Sequence, residues 1–234
     1  MKKIKKGMTI GIIGGAGPIA AFMMGRKIIE TCQYNYHCVQ DADFPKIILA
    51  SIPFAQMLHP GTKTQKEARV ATQLEEGLTF LSQSGADYIV IACNTLHAFL
   101  KEKKYPALLH LVEETKQYIL PKNFSATLVL ETSTAALKSL YTLPKGQLPP
   151  LSAQKKLDDL IHEILKGHIV AETQSMLQQI VRECLHNFPA IDSVLLGCTE
   201  LSVLMEHGQK TLCNSVLIDP VHLIIDKLCE KIFV

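Results

Sequence analysis

Two cysteines stand in matched settings. One closes the run Ile89-Val90-Ile91-Ala92-Cys93-Asn94-Thr95-Leu96, the other Ser193-Val194-Leu195-Leu196-Gly197-Cys198-Thr199-Glu200-Leu201. Each segment has the pattern of a buried strand, then a small residue, the cysteine, and polar residues suited to capping a helix. A thiol at a strand's carboxyl end and before a helix meets unpaired N–H groups and positive potential, both of which favour the thiolate. One cysteine so placed reads as readily as a small core residue. Two in matched contexts read as functional thiols presented in the same way by two similar halves.

Other residues could complete such a site. Gly14-Gly15-Ala16-Gly17-Pro18 is a glycine turn ahead of a helix, a cradle suited to a carboxylate. It does not satisfy Gly-x-Gly-x-x-Gly, and no acidic residue follows at the distance a dinucleotide fold requires. Asn94, Thr95, Thr199 and Thr132-Ser133-Thr134 follow strand ends, where they can cap helices and also donate to a substrate carboxylate. His97 and His168 are given no catalytic role. His-Glu-x-x-His, Gly-x-Ser-x-Gly and Cys-x-x-Cys patterns are absent, so zinc and serine-triad chemistry have no support, and no metal is expected.

The elements that must position these groups follow from periodicity. Strands are expected at 8–14, 46–52, 88–92, 107–111, 126–130, 193–196 and 216–218. Helices are expected at 19–36, 64–84, from Cys93 to about Lys104, 113–120, from 131–134 through Leu140, 157–165, 169–188, from Thr199 and from Pro220. Residues 54–61 and 142–151 read as loops, each with proline and glycine signals. The strands are continuous apolar runs that alternate with helices, which is the pattern of parallel sheets covered on both faces. The expected fold is α/β, with two pseudo-symmetric halves and the active site in the cleft between them. One half is assigned residues 1–100 plus 215–234, with Cys93, and the other 101–214, with Cys198.

Composition excludes several classes. A net charge of +2 over 234 residues, with Lys and Arg scattered, gives no reason to expect nucleic acid or a membrane surface as a partner. The basic start followed by apolar residues is broken by Gly14 to Pro18, where a secretion signal would run on, so a strand, a glycine turn and a helix are expected there. Seven cysteines without a disulfide-like spacing suit free thiols in a reducing cytoplasm.

With these residues in place, the chain resembles the aspartate/glutamate racemase superfamily, and most of all its aspartate racemase branch. The resemblance is carried by Ile10 to Pro18, Gly85-Ala86-Asp87-Tyr88-Ile89, Ala92-Cys93-Asn94-Thr95-Leu96-His97, Gly197-Cys198-Thr199-Glu200 and Ile218-Asp219-Pro220, in the family's order. It implies a cofactor-independent racemase and a homodimer. One cysteine, as thiolate, removes the α-proton of an amino acid from one face, and the other, as thiol, protonates the opposite face. By that analogy Cys93 serves the D-enantiomer and Cys198 the L-enantiomer. Substrate binding falls to Gly15, Ala16, Asn94, Thr95, Glu131, Ser133, Thr134, Lys166, Thr199 and Glu200.

Departures from the family bear on substrate. The arginine that binds a side-chain carboxylate is missing from Pro53-Phe54-Ala55-Gln56, and Lys166 matches a second basic residue. Glu131 stands where a threonine is expected. One cation lost and one anion gained both disfavour a dicarboxylate, so neutral amino acids become plausible substrates. Two alternatives belong to other classes: an isomerase or decarboxylase of small dicarboxylic acids on the same scaffold, and a non-catalytic ligand-binding relative.

Overall fold

The first strand is buried along its whole length. Ile10, Ile12 and Ile13 have no exposed surface, and their neighbours between Thr9 and Gly14 are buried too. Only a sheet covered on both faces accommodates such a run, and a computed structural model of the chain shows two of them. It describes residues 4–5, 7–54, 64–101, 105–206 and 212–234. The expectations that touch Ala55, Gln56 and the Pro60-Gly61 turn lie outside these residues, as does the end of the helix expected to reach Lys104.

In the first sheet, β1 (Thr9–Gly14) lies between β2 (Lys46–Ser51) and β3 (Tyr88–Ile91), all parallel. A single parallel bridge from Ile89 to Leu108 extends it by one position. The second sheet has the parallel order β5 (Gly146–Gln147), β4 (Thr127–Val129), β6 (Ser193–Leu195), β7 (Val216–Ile218). With Leu108 counted as the fourth strand position, the two orders are the same, and this is the pseudo-symmetry that the paired cysteines suggested. The helices are α1 (Pro18–Tyr36), α2 (Thr64–Gln83), α3 (Leu111–Ile119), α4 (Ser133–Leu137), α5 (Leu151–Leu165), α6 (Ala171–Asn187), α7 (Thr199–Glu206) and α8 (Pro220–Ile232).

The helices divide the core into three parts. Val70, Leu74, Leu78 and Leu81 of α2 cover one face of the first sheet, with Ile89, Ile91 and Cys93. Helices α5 and α6 cover the matching face of the second, with Leu196 and Cys198. The inner faces share a third cluster that holds Ile12, Met24, Val90, Leu195 and Ile225, where α1, α3 and α8 pack. This topology corrects the expected division of the chain. β7 is an edge strand of the second sheet, so 216–218 sit with Cys198 rather than with Cys93. α3 and α8 are the equivalent last helices of the two halves and pack on each other.

Local differences have local causes. No α-helix follows Cys93: a 3-10 helix spans Thr95–Phe99 and gives way at Leu100, which is extended. The imidazole Nδ1 of His97 lies 2.9 Å from the Cys93 carbonyl and 3.3 Å from that of Asn94. It occupies acceptors that an α-helix would use, and the His97 amide bonds Asn94 at 3.0 Å instead. The stretch 107–111 forms one bridge rather than a strand, because α3 begins at Leu111. α4 stops at Leu137, ahead of Ser139 at φ 52°. α5 starts six residues earlier than expected, immediately after Pro150, which suits a helix start. β5 lies in the stretch read as a loop.

The turn after β1 needs its glycines. Gly15 has φ 107° and Gly17 φ 76°, and a Cβ at Gly15 would be driven into the backbone of Ile52. Gly15→Ala is therefore expected to cost about 3 kcal/mol or more, from the left-handed strain and the collision together. Urea denaturation at constant m-value checks this.

Candidate active site

Both cysteines sit where their strands end, and each is nearly enclosed: Cys93 is 6% exposed and Cys198 4%. The amide of Ala92 bonds the carbonyl of Ile13 at 2.8 Å, which carries Cys93 just past the sheet edge. The amides of Thr95 and Leu96 and the Thr95 hydroxyl favour the thiolate at Cys93, though less than burial opposes it. Cys198 is supported by the amide of Glu200, and its thiol donates to Glu200 Oε2 at 2.9 Å. The two thiols are close enough for a charge on Cys93 to be felt at Cys198.

Two hydrogen bonds tie the halves together beside the sulfurs. Thr199 Oγ1 donates to the carbonyl of Ala92, the residue before Cys93, at 3.4 Å. The hydroxyls of Thr95 and Thr132 lie 3.2 Å apart, and Thr132 also caps α4 by accepting from Ala135 N at 3.1 Å. Asn94 is buried. Its Oδ1 accepts from the hydroxyl of Tyr141, and its Nδ2 has no partner. The tyrosine thus fixes which end of the amide remains free, and that end is a donor. Glu200 fills the glycine turn: its carboxylate lies against Gly17, where any side chain would collide with Oε1. Ala16, in the same turn, is half-buried against the first-half core.

This arrangement offers two buried thiols, a shared carboxyl group and unspent donors for a small acid. Residues 13–228 match the Asp/Glu/Hydantoin racemase family. The chain belongs to that family. Membership makes it an isomerase of the amino-acid racemase class. It is 26% identical over 208 residues to the broad specificity amino-acid racemase RacX of Bacillus subtilis (strain 168), covering 86% of this chain and 88% of that one. The fold is similar to that of the Picrophilus torridus aspartate racemase, with a TM-score of 0.75 at 22% identity over 96% of this chain and 94% of that one. It is also similar to glutamate racemase from Thermus thermophilus in complex with beta-chloro-D-alanine. There the TM-score is 0.62 at 19% identity, over 96% and 80% of the two chains.

The family's site was expected to include residues that the structure deploys elsewhere. Lys166, at the exposed end of α5, pairs with Glu163 on its own helix at 2.7 Å. The preceding Leu165, not the lysine, approaches Gly17. Ser133, the first residue of α4, gives its amide to Asp158 at 3.0 Å and its hydroxyl to the same carboxylate, so both of its donors are engaged. Thr134 is buried within the first turn of that helix, and Thr199 is wholly enclosed. Glu131 is buried beneath Gly197, with Oε2 unpartnered. Tyr141 escaped the sequence reading, since a tyrosine well beyond the strand end carries no spacing signal. His97 was recognised but not its work, which is to hold the Cys93 turn.

Electrostatics reverse one expectation. Turn N–H groups were expected to favour thiolates, yet burial and the nearby Glu200 carboxylate push the Cys93 thiol up to about 12. The same two causes raise Cys198. Burial raises Glu200 as well, and holds His97 down at about 3, with His110 adding to it. The resting thiols are protonated. Among the described residues no cluster of three His, Cys, Asp or Glu side chains is placed to hold a metal ion. Nor is any helix long and apolar enough to cross a membrane.

Two variants probe this interior. Burial raises the Glu131 carboxyl from 4.5 to about 7. The folded protein therefore binds this proton more tightly than the unfolded chain, and the associated stability is lost as pH rises from about 4.5 to 7. Glu131→Gln is expected to stabilise the protein by up to about 3 kcal/mol above pH 7, and hardly at all near pH 4, in denaturant titrations across that range. Tyr141→Phe leaves Asn94 Oδ1 buried without its donor, and should cost about 1–3 kcal/mol in the same measurement.

Proposed function

We propose that this protein is a cofactor-independent amino-acid racemase in which Cys93 and Cys198 exchange the α-proton across the two faces of the substrate. The observation that carries the reading is the equivalence of the two thiols. They close corresponding strands of two sheets with the same strand order, and cross-bonds between the halves flank them. Inverting a stereocentre by proton transfer requires one acid and one base on opposite sides, and two such halves supply them.

A thiolate must first be made. The Cys198 thiol points its proton at Glu200 Oε2, 2.9 Å away, and a carboxyl raised by burial is a ready acceptor. Transfer gives the Cys198 thiolate and a neutral Glu200. The thiolate takes the α-proton of one enantiomer, the Cys93 thiol delivers its own to the other face, and Cys93 is left as thiolate for the reverse reaction. The charge that develops on the substrate carboxylate meets the free Asn94 Nδ2, a donor fixed before the reaction begins.

The substrate class that fits is an amino acid with a neutral side chain. Lys166 pairs with Glu163, and Glu131 adds a buried carboxyl that, when ionised, repels a second substrate carboxylate. A relative named for broad specificity agrees with this reading. Seven free cysteines fit a reducing cytoplasm as the place of work.

Proton exchange at Cα in D2O tests the proposal. Neutral L- and D-amino acids should acquire deuterium with loss of optical purity, at a kcat/KM at least about tenfold above that for aspartate. Cys93→Ser and Cys198→Ser should each lower racemisation by about 1,000-fold, the scale of a lost general acid or base. Full activity in both variants overturns the two-thiol mechanism, and a clear preference for aspartate overturns the substrate class.

A further inference from the structure

Apart from the thiols, a cavity of about 370 Å³ opens between α1, α7 and the junction of β7 with α8. Its volume is within the range of small-molecule sites. Met23, Met205, Ile218 and Val221 form an apolar floor. The rim carries both signs of charge. Lys27 Nζ lies 3.1 Å from Glu206 Oε1, a carboxylate that also pairs with Arg26. Across the opening, Ser202 Oγ and the Val221 amide hold Asp219 Oδ1 at 2.7 and 2.9 Å. Asp219 Oδ2 lies 3.4 Å from the Nδ1 of the exposed His222.

A cation and anchored carboxylates around an apolar floor complement a zwitterion with an apolar tail. We propose that this cavity is a second amino-acid site, which takes the carboxylate at Lys27, the ammonium at Asp219 and an apolar side chain between Met23 and Met205. Its walls lead to the thiols. α1 begins directly after Gly17, and α7 begins at Thr199 and carries Glu200, whose carboxylate lies against Gly17. The cavity opens between these same packed helices roughly 8–9 Å further along, at 1.5 Å per residue. A ligand wedged there moves α1 against α7, and so moves Gly17 against Glu200. This coupling rests on the proposed racemase reading; the binding does not.

Calorimetric titration of the full chain with L-leucine tests the site. The wild type and Cys93→Ser should show a binding event that Lys27→Glu weakens at least about tenfold and that Met205→Trp, which fills the floor, removes. Lys27 is partly exposed on α1, so its charge reversal reads the site even where the tryptophan disturbs folding. Absence of leucine binding in the wild type, or binding unchanged in Lys27→Glu, overturns the site. In D2O, the effect of leucine on the exchange rate of a second amino acid should differ between the wild type and Lys27→Glu, in which only competition at the thiols remains. Binding without that difference overturns the coupling to Glu200. Absence of exchange for every amino acid tested speaks against the racemase reading and leaves the calorimetric result intact.

Discussion

A buried carboxyl group sets the terms for both sulfurs. Glu200 is 7% exposed, and its partners are the Cys198 thiol, the Thr199 hydroxyl and its own backbone. A carboxylate enclosed in this way, with no cation beside it among the described residues, is costly to keep ionised. Its charge and the common burial keep both thiols protonated at rest. The position is also paid for in backbone shape: only a residue without a side chain can stand at 17, where the carboxylate lies. The glycine turn, read from sequence as a cradle for a substrate acid, is thus already occupied by an acid of the protein's own.

The strands were legible because parallel strands buried on both faces leave continuous apolar runs. Ile10 to Ile13, Ile89 to Ile91 and Val194 to Leu196 needed no tertiary information. The cysteine pairing was legible for the same reason, since each thiol comes at the end of such a run. β5 was not. Two residues, Gly146 and Gln147, pair with β4 through register alone and carry no hydrophobic pattern of their own. The division of the chain was misjudged at β7, because an isolated three-residue strand does not say which sheet it joins. That choice is made by hydrogen bonds to β6, more than twenty positions away.

The Cys93 turn shows a subtler limit. Its sequence satisfies the pattern of a helix start, yet one imidazole bonded to the carbonyls of Cys93 and Asn94 diverts it into a 3-10 helix. The same histidine is buried and neutral, with His110 4.5 Å away. Position in the chain could identify His97; only the fold shows that its partner is the backbone beneath the thiol. Tyr141 is the parallel case. Its hydroxyl aims the Asn94 amide, and nothing in the spacing between the two residues announces the contact.

Lys166 and Glu131 bear on the proposed substrate class through their charges. A cation at the thiols would balance a second substrate carboxylate, and a site with Glu131 ionised would repel one. The structure sends the lysine to the surface and buries the glutamate, with its carboxyl raised to about 7. Near neutral pH that carboxyl is close to half protonated, so it carries either no charge or one negative charge beneath Gly197. Under the proposed function, selectivity against dicarboxylates needs no steric barrier: an acidic side chain beside an ionised Glu131 would lose its hydration and meet a like charge. A neutral side chain loses nothing comparable on entering the same space.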